Sequence, residues 1–350
     1  MTQRRTFFKT AALGATAAIL SPTAIANTTV SLRKKENILP KRLKKGATIG
    51  LVAPGYTLAP EKLEKAKDIL RAHGFTPYHT DRIHQPHGYL SNTDAERAAD
   101  VNEMFANPNV DAILCARGGY GCTRILEQLN FETIQQNPKL LLGFSDITAL
   151  LNAIHSKTGL VTFHGPVGST IENDFSFEQL LLLLSTPTNN FSFTNATLSE
   201  EQFIHPEYDR YLITKGKAEG SIVGGSLTLV NALIGTPYEI DFTNKIVLLE
   251  DVGEAPYRID RMLTQLIDGP TFKKASGIVF GVFADCDKPK TNGSFTLREV
   301  LLDRIKPLNI PAAYGFSFGH VPQNFTFPIG VLAKFNSKKM HLELTETSVS

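Results

Sequence analysis

The chain has 350 residues, of which 42% are hydrophobic and 20% charged, enough to bury a large core most simply divided between two domains. With 36 Lys and Arg against 34 Asp and Glu the net charge is only +2, which argues against nucleic acid or an anionic surface as partner. The three cysteines show no C-x-x-C spacing, which argues against a structural zinc site.

Residues 1–26 carry Arg4-Arg5-Thr6-Phe7-Phe8-Lys9, then an Ala-rich, mildly apolar run over 10–20, then Ala24-Ile25-Ala26 as a small-residue cleavage site. These parts in this order predict a twin-arginine export signal. The apolar run is too short to span a bilayer, and no Cys follows it to carry a lipid, so stable membrane insertion is not expected. A periplasmic or extracytoplasmic protein, exported already folded, is the expectation. Cleavage would remove three basic and no acidic residues and shift the net charge to −1. Residues 27–44, with Arg33-Lys34-Lys35 and the start of the basic cluster Lys41-Arg42-Lys44-Lys45, read as a solvated N-terminal arm.

From 45 to 170 apolar strands alternate with amphipathic helices. Strands are predicted at 47–52, 76–79, 111–116, 140–143 and 160–163, and helices at 60–73, 94–105, 123–129 and 146–156. Strands separated by crossover helices form a parallel sheet covered on both faces, and such sheets gather their sites at the carboxyl ends of the strands. The run Leu140-Leu141-Leu142-Gly143-Phe144-Ser145-Asp146 takes a strand through a tight Gly-x-Ser turn directly into a helix. That turn lifts the Ser145 hydroxyl clear of the backbone beside the positive end of a helix, where an amide can face an oxyanion. The plainer alternative is Ser145 as an N-cap; the fifth position is Ile147 and not the Gly of the hydrolase elbow.

Two more turns fall at strand ends. Arg117-Gly118-Gly119-Tyr120-Gly121 lets main-chain amides approach a ligand closely and is a candidate second half of an oxyanion hole. Lacking both G-x-G-x-x-G and a P-loop lysine, it is a poor phosphate site. His164, in His164-Gly165-Pro166, reads as a ligand or base, or else as a hydrogen-bonded structural histidine. Cys115 and Cys122 flank this region and read as buried small hydrophobes, a Cys115–Cys122 disulfide being the alternative in an oxidising compartment.

A helix at 177–184 and a polar stretch form a connecting segment over 171–215. Residues 216–340 read as a smaller, β-rich, mixed-sheet domain with strands at 220–223, 245–250, 275–283 and 331–335 and helices at 228–233, 257–267 and 296–305. The strand Val247-Leu248-Leu249 ends in Glu250 and Asp251, and a carboxylate closing a buried strand needs a specific partner. Arg258 or Arg261 is one candidate. The segment 315–320 places His320 on a glycine-rich loop, and Ser145, His320 and Glu250 together could supply nucleophile, base and orienting carboxylate.

Over residues 39–335 the chain resembles the LD-carboxypeptidase family of serine peptidases, which includes murein tetrapeptide carboxypeptidases and microcin C self-immunity peptidases. The resemblance rests on the run from Gly46 to Pro54, the Cys115–Gly121 and Gly143–Thr148 segments, His164-Gly165-Pro166, Gly224-Gly225, the run from Leu249 to Arg261, and Gly319-His320. Gly55 stands where Ser is common in the family, and Ser226 where Asn is common. The resemblance implies Ser145 as nucleophile, His320 as base and Glu250 behind it, with an oxyanion hole from the amides of Asp146, Gly118 and Gly119. It further implies an α/β N-terminal domain joined to a β-rich C-terminal domain, a homodimer, no metal or cofactor, and murein (peptidoglycan) stem peptides as substrate. The reaction would cleave the L-to-D amide that holds a terminal D-Ala. A free D-Ala carboxylate calls for an Arg fork, for which Arg117 and Arg258 are the candidates. A microcin-type immunity peptidase and a non-catalytic periplasmic muropeptide-binding protein are the alternatives.

Overall fold

A computed structural model describes residues 37–287 and 293–350. The export segment and most of the basic arm lie outside the described residues.

The first half begins with β1 (Thr48–Val52), β2 (Thr76–Tyr78), β3 (Ala112–Cys115), β4 (Leu140–Gly143) and β5 (Thr162–His164), all paired in parallel. Their burial on both faces explains why β3 and β4 are continuous apolar runs and do not alternate. The connecting helices α1 (Pro60–Ala72), α2 (Asp94–Ala106), α3 (Phe131–Gln136) and α4 (Thr148–Thr158) cover the sheet. Helix α1 starts on Pro60 and turns Leu63, Ala66 and Leu70 inward, and Gly74 follows it at φ +80°. The predicted helix at 123–129 is a 3₁₀ segment, Cys122–Gln128.

The second half is a seven-stranded mixed sheet. Strands β6 (Tyr211–Thr214), β7 (Lys217–Ser226), β8 (Lys245–Val252), β9 (Gly277–Ala284), β10 (Ala312–Gly319), β12 (Leu332–Asn336) and β13 (His341–Leu344) lie in the order β13-β12-β7-β8-β9-β10-β6. The central four, β7-β8-β9-β10, are parallel and the flanking pairs antiparallel. This sheet has one strand more than the first and is the mixed sheet that the sequence predicts for this half. Between the halves, Phe327–Ile329 forms β11 and returns to the first sheet, pairing antiparallel with β5 and giving the order β11-β5-β4-β3-β1-β2. Pro328 is tolerated there because β11 is an edge strand.

The glycine-rich loop expected over 315–320 is mostly strand. β10 is buried along its whole length, and His320 is the first residue beyond it. Gly315 and Gly319 take φ +99° and +111° inside that strand, and the pairing with β9 shifts register there.

Candidate active site

The turn after β4 has the geometry that its sequence demands. Ser145 sits at φ +65°, in the left-handed region that a side chain enters only against strain, and a 3₁₀ turn over Ser145–Ile147 leads into α4. Gly143 makes the bend possible: a Cβ there would stand 2.9 Å from Ile147 Cγ2 and 3.1 Å from Cys115 Cβ. Asp146 is buried, and its Oδ2 accepts the Cys122 amide at 2.9 Å, tying the elbow to the turn that follows Gly118-Gly119. Burial pushes the Asp146 carboxyl up, and the Cys122 hydrogen bonds offset part of that rise.

Residues from the second half complete the cluster. His320 Nε2 lies 2.9 Å from Ser145 Oγ, and its Nδ1 lies 2.8 Å from Glu250 Oε2. The order hydroxyl, imidazole, carboxylate is that of a nucleophile, its base and the group that fixes the base's tautomer. Glu250 is wholly buried at the end of β8. Burial alone would raise its carboxyl, but the charge and hydrogen bonds of His320, with His164 beside it, outweigh burial and hold it below the usual carboxylate range. For His320, burial pulls the imidazole down and the Glu250 carboxylate more than reverses that, so it is raised. Phe144 packs on the His320 ring with centroids 4.8 Å apart.

Residues 49–165 match the N-terminal domain of LD-carboxypeptidases, and residues 219–335 match their C-terminal domain. The chain belongs to the LD-carboxypeptidase family. It is similar to a probable murein peptide carboxypeptidase of Bacillus subtilis, at 41% identity over 86% of this chain and 92% of that one. A murein tetrapeptide carboxypeptidase of Pseudomonas aeruginosa is 31% identical over 83% of this chain and 94% of its own length. Among solved structures, MccF, the microcin C7 self-immunity protein, in complex with glutamyl sulfamoyl guanosine superposes with a TM-score of 0.80 at 25% identity, covering 89% of this chain and 99% of that one. The muramoyltetrapeptide carboxypeptidase of Oxalobacter formigenes gives 0.73 at 27%, covering 85% and 98%. This LD-carboxypeptidase is therefore a serine carboxypeptidase related to enzymes of murein peptides.

The remaining residues expected at the site divide. Gly118 is buried against the elbow, where a Cβ would stand 3.0 Å from Ser145 Cβ and 3.3 Å from Ser145 Oγ. Gly119, at φ +112°, has the Tyr56 ring against it, and the Tyr56 amide donates to the Gly118 carbonyl at 3.3 Å. Arg117 is on the same loop, its Nη1 donating to the Thr57 carbonyl at 2.8 Å and its guanidinium 5.5 Å from the Tyr56 ring centre. Arg258 is spent elsewhere: it pairs with Glu254 at 3.2 Å and lies over Tyr257, and no contact joins it to the cluster among the described residues. The proposed ion pair of Glu250 with Arg258 or Arg261 is overturned, because Glu250 faces two histidines. Asp251 is occupied as well: its carboxylate accepts from the Thr228 amide and hydroxyl and from the Val252 amide.

His164 makes no hydrogen bond among the described residues. It is wholly buried, stacked on Phe327 with centroids 4.5 Å apart, and its Nε2 stands 3.7 Å from Glu250 Oε1. Cys115, Cys122 and Cys286 are all buried free thiols, so the disulfide alternative falls. Among the described residues no cluster of His, Cys, Asp and Glu could hold a metal ion.

Two groups that support the site escaped sequence reasoning. Arg97, buried in α2, donates to the Pro54 and Gly121 carbonyls and pairs with Asp94, fastening the loops around the elbow from below. An arginine on the apolar side of a helical pattern was the available signal. Helix α4 also docks on Gly224-Gly225: Asn152 bonds both the carbonyl and the amide of Gly224, and Thr148 Oγ1 accepts the Ser226 amide at 3.0 Å. Both glycines are at positive φ, and a Cβ on Gly225 would stand 2.4 Å from Thr148 Oγ1, so the glycine pair is what lets the helix that follows Ser145 approach.

Proposed function

We propose that the protein removes the terminal D-Ala from murein tetrapeptides by cleaving an L-to-D amide with a Ser145–His320–Glu250 triad. The observation that carries this reading is the chain of contacts from Ser145 Oγ through His320 to Glu250, set on a strained elbow. His320 Nε2 takes the hydroxyl proton as Ser145 Oγ attacks the carbonyl of the third stem residue, diaminopimelate or lysine. Main-chain amides of Asp146 and the Gly118-Gly119 loop face the developing oxyanion. His320 then passes its proton to the departing D-Ala amine. Water, activated by the same imidazole, releases the acyl group and restores Ser145. Arg117, on the loop beside the nucleophile, is the better placed of the two arginines to meet the D-Ala carboxylate.

Relatives named as murein peptide carboxypeptidases support this substrate class. The likeness to the microcin C7 self-immunity protein supports a second reading, hydrolysis of an aminoacyl-nucleotide-like conjugate. Incubating purified protein with defined muropeptides and with an aminoacyl sulfamoyl nucleoside, and reading products by mass spectrometry, separates the two. Loss of one alanine mass from tetrapeptides alone is expected; cleavage of the nucleoside conjugate alone would reverse the assignment.

We also propose that residues 1–26 direct twin-arginine export to the periplasm, where stem peptides are exposed, and that the enzyme is a homodimer. Replacing Arg4 and Arg5 by Lys should retain the precursor in the cytoplasm, and unchanged fractionation would refute the export reading. Sedimentation velocity gives the oligomeric state.

A further inference from the structure

Behind the Ser145, His320 and Glu250 contacts, a second imidazole is buried with nothing assigned to it. Neither ring nitrogen of His164 has a hydrogen-bond partner among the described residues, and the same is true of Glu250 Oε1. The two groups face each other at 3.7 Å, both wholly buried. The surroundings of the ring are apolar: Phe327 is stacked on it at 16° between planes, and Phe144 and Phe318 have centroids at 6.0 and 6.4 Å. The Gly225 backbone runs close by: a Cβ there would stand 3.0 Å from the ring's Cδ2. A polar ring is costly in such a box unless a polar neighbour repays part of its lost hydration, and the Glu250 carboxylate is the neighbour it faces.

We propose that His164 is a positioning residue for the triad: its Nε2–H points at Glu250 Oε1, so that the carboxylate is held between two imidazoles and its Oε2 is fixed on His320 Nδ1. Burial lowers His164 and the nearby carboxylate only partly offsets this, so the ring is neutral at working pH and offers one N–H without bringing a rival positive charge. The groups that bear on its charge are Glu250 and, beyond it, His320; His320 in turn feels Glu250 and, less strongly, Asp251, which is unchanged in every variant below. Hydrogen bonds of this kind are commonly long in the resting enzyme and tighten when charge develops on the base. His164 ends β5 in the first sheet, whereas Glu250 lies near the end of β8 in the second, so the contact also sets one half against the other.

The inference rests on the triad reading, and its test is chosen to fail separately from it. In the full-length enzyme, His164→Phe keeps a ring in the box and removes the N–H. D-Ala release from a murein tetrapeptide should fall about 10- to 100-fold in kcat, by analogy with the partners that orient metal-binding histidines, with KM within about twofold. The acidic limb of kcat/KM should also move to higher pH, because a carboxylate with one donor fewer is more basic and holds the proton on His320 more firmly. His164→Gln, whose amide nitrogen falls near the Nε2 position, should bring the limb back toward wild type. Should the Phe variant not fold, His164→Asn, whose amide falls short of Oε1, is read in the same way. A folded variant with the wild-type limb, or one that loses activity equally at every pH with Gln no better than Phe, would overturn the proposal. Retained turnover in Ser145→Ala would instead remove the triad itself.

Discussion

Glu250→Gln separates catalysis from scaffolding, because the side chain keeps its volume and loses its charge. The expected size of the effect follows from how the amide can sit. With its oxygen toward His320 Nδ1, the base keeps its tautomer but the imidazolium formed during attack has lost its counter-charge. Two unit charges 4 Å apart at an effective dielectric of 20 are worth about 4 kcal/mol, or about three decades of rate. With its NH₂ group toward His320, Nδ1 must accept, the proton is forced onto Nε2, and that nitrogen, 2.9 Å from Ser145 Oγ, can no longer take the hydroxyl proton. A wrong tautomer of this kind costs about four decades in the serine protease where it is best described. A loss between about 10³- and 10⁴-fold in single-turnover D-Ala release is expected. The pH profile adds a second signature. Since Glu250 is what raises His320 against the downward pull of burial, the residual activity should show its acidic limb at lower pH than wild type. Thermal unfolding on the same sample establishes that the fold is present. A folded variant within tenfold of wild type, or with an unmoved limb, would refute the role argued for Glu250.

Ser145→Ala should abolish turnover, by on the order of 10⁴-fold or more, in a protein whose circular dichroism is unchanged; measurable steady D-Ala release would rule out a serine nucleophile. Gly118→Ala places a methyl 3.0 Å from Ser145 Cβ and 3.2 Å from the Phe144 carbonyl, so the nucleophile should shift by a fraction of an ångström. About a 10- to 100-fold fall in kcat is expected at little cost in melting temperature, and normal kcat would show that the elbow has slack. Asp251 is pushed up to about 7, first by burial and then by the neighbouring Glu250 charge. A carboxyl raised in the fold favours the protonated native state, so stability drains away as pH climbs from its unfolded value near 3.8 to its folded one. Asp251→Asn forfeits hydrogen bonds at every pH but escapes that drain. Its melting temperature relative to wild type should therefore improve between pH 4.5 and 7.5, and a constant difference would count against the reasoning.

How far the molecule could be read from its residues depends on the range of the interaction that fixes each part. The elbow is local: Gly143, Ser145 and the apolar run before them specify a strand, a bend and a helix within ten residues. Glu250 is legible for a related reason, since an acid closing Val247-Leu248-Leu249 has to be answered by something. His320 is legible as its partner only through the motif it ends, and His164 is not legible as one at all, because both come from distant segments, whereas Arg258 and Arg261 are simply nearer in sequence. The stretch 315–319 of β10 reads as a loop because a strand buried on both faces shows no alternation and its glycines mimic turn signals. β11 is three residues long with a proline at its centre, and only the sheet edge it joins, some 160 residues back in the chain, makes it a strand. The glycine pair at 224 and 225 could be noticed but not explained until Thr148 and Asn152 were seen against it.

Ser145 is rooted in one sheet and His320 and Glu250 in the other, while β11 carries the chain back from the second to the first. Neither half can therefore be partly active: the hydroxyl without the imidazole is an ordinary alcohol, and the imidazole with its carboxylate has nothing to deprotonate. On the triad reading, chemical competence needs both halves in place, and they meet where Thr148 and Asn152 of one lie against Gly224-Gly225 and Ser226 of the other. For a hydrolase this supplies an interlock of its own, since a copy whose halves are not docked has no complete Ser145–His320–Glu250 cluster to turn on the wrong amide bond.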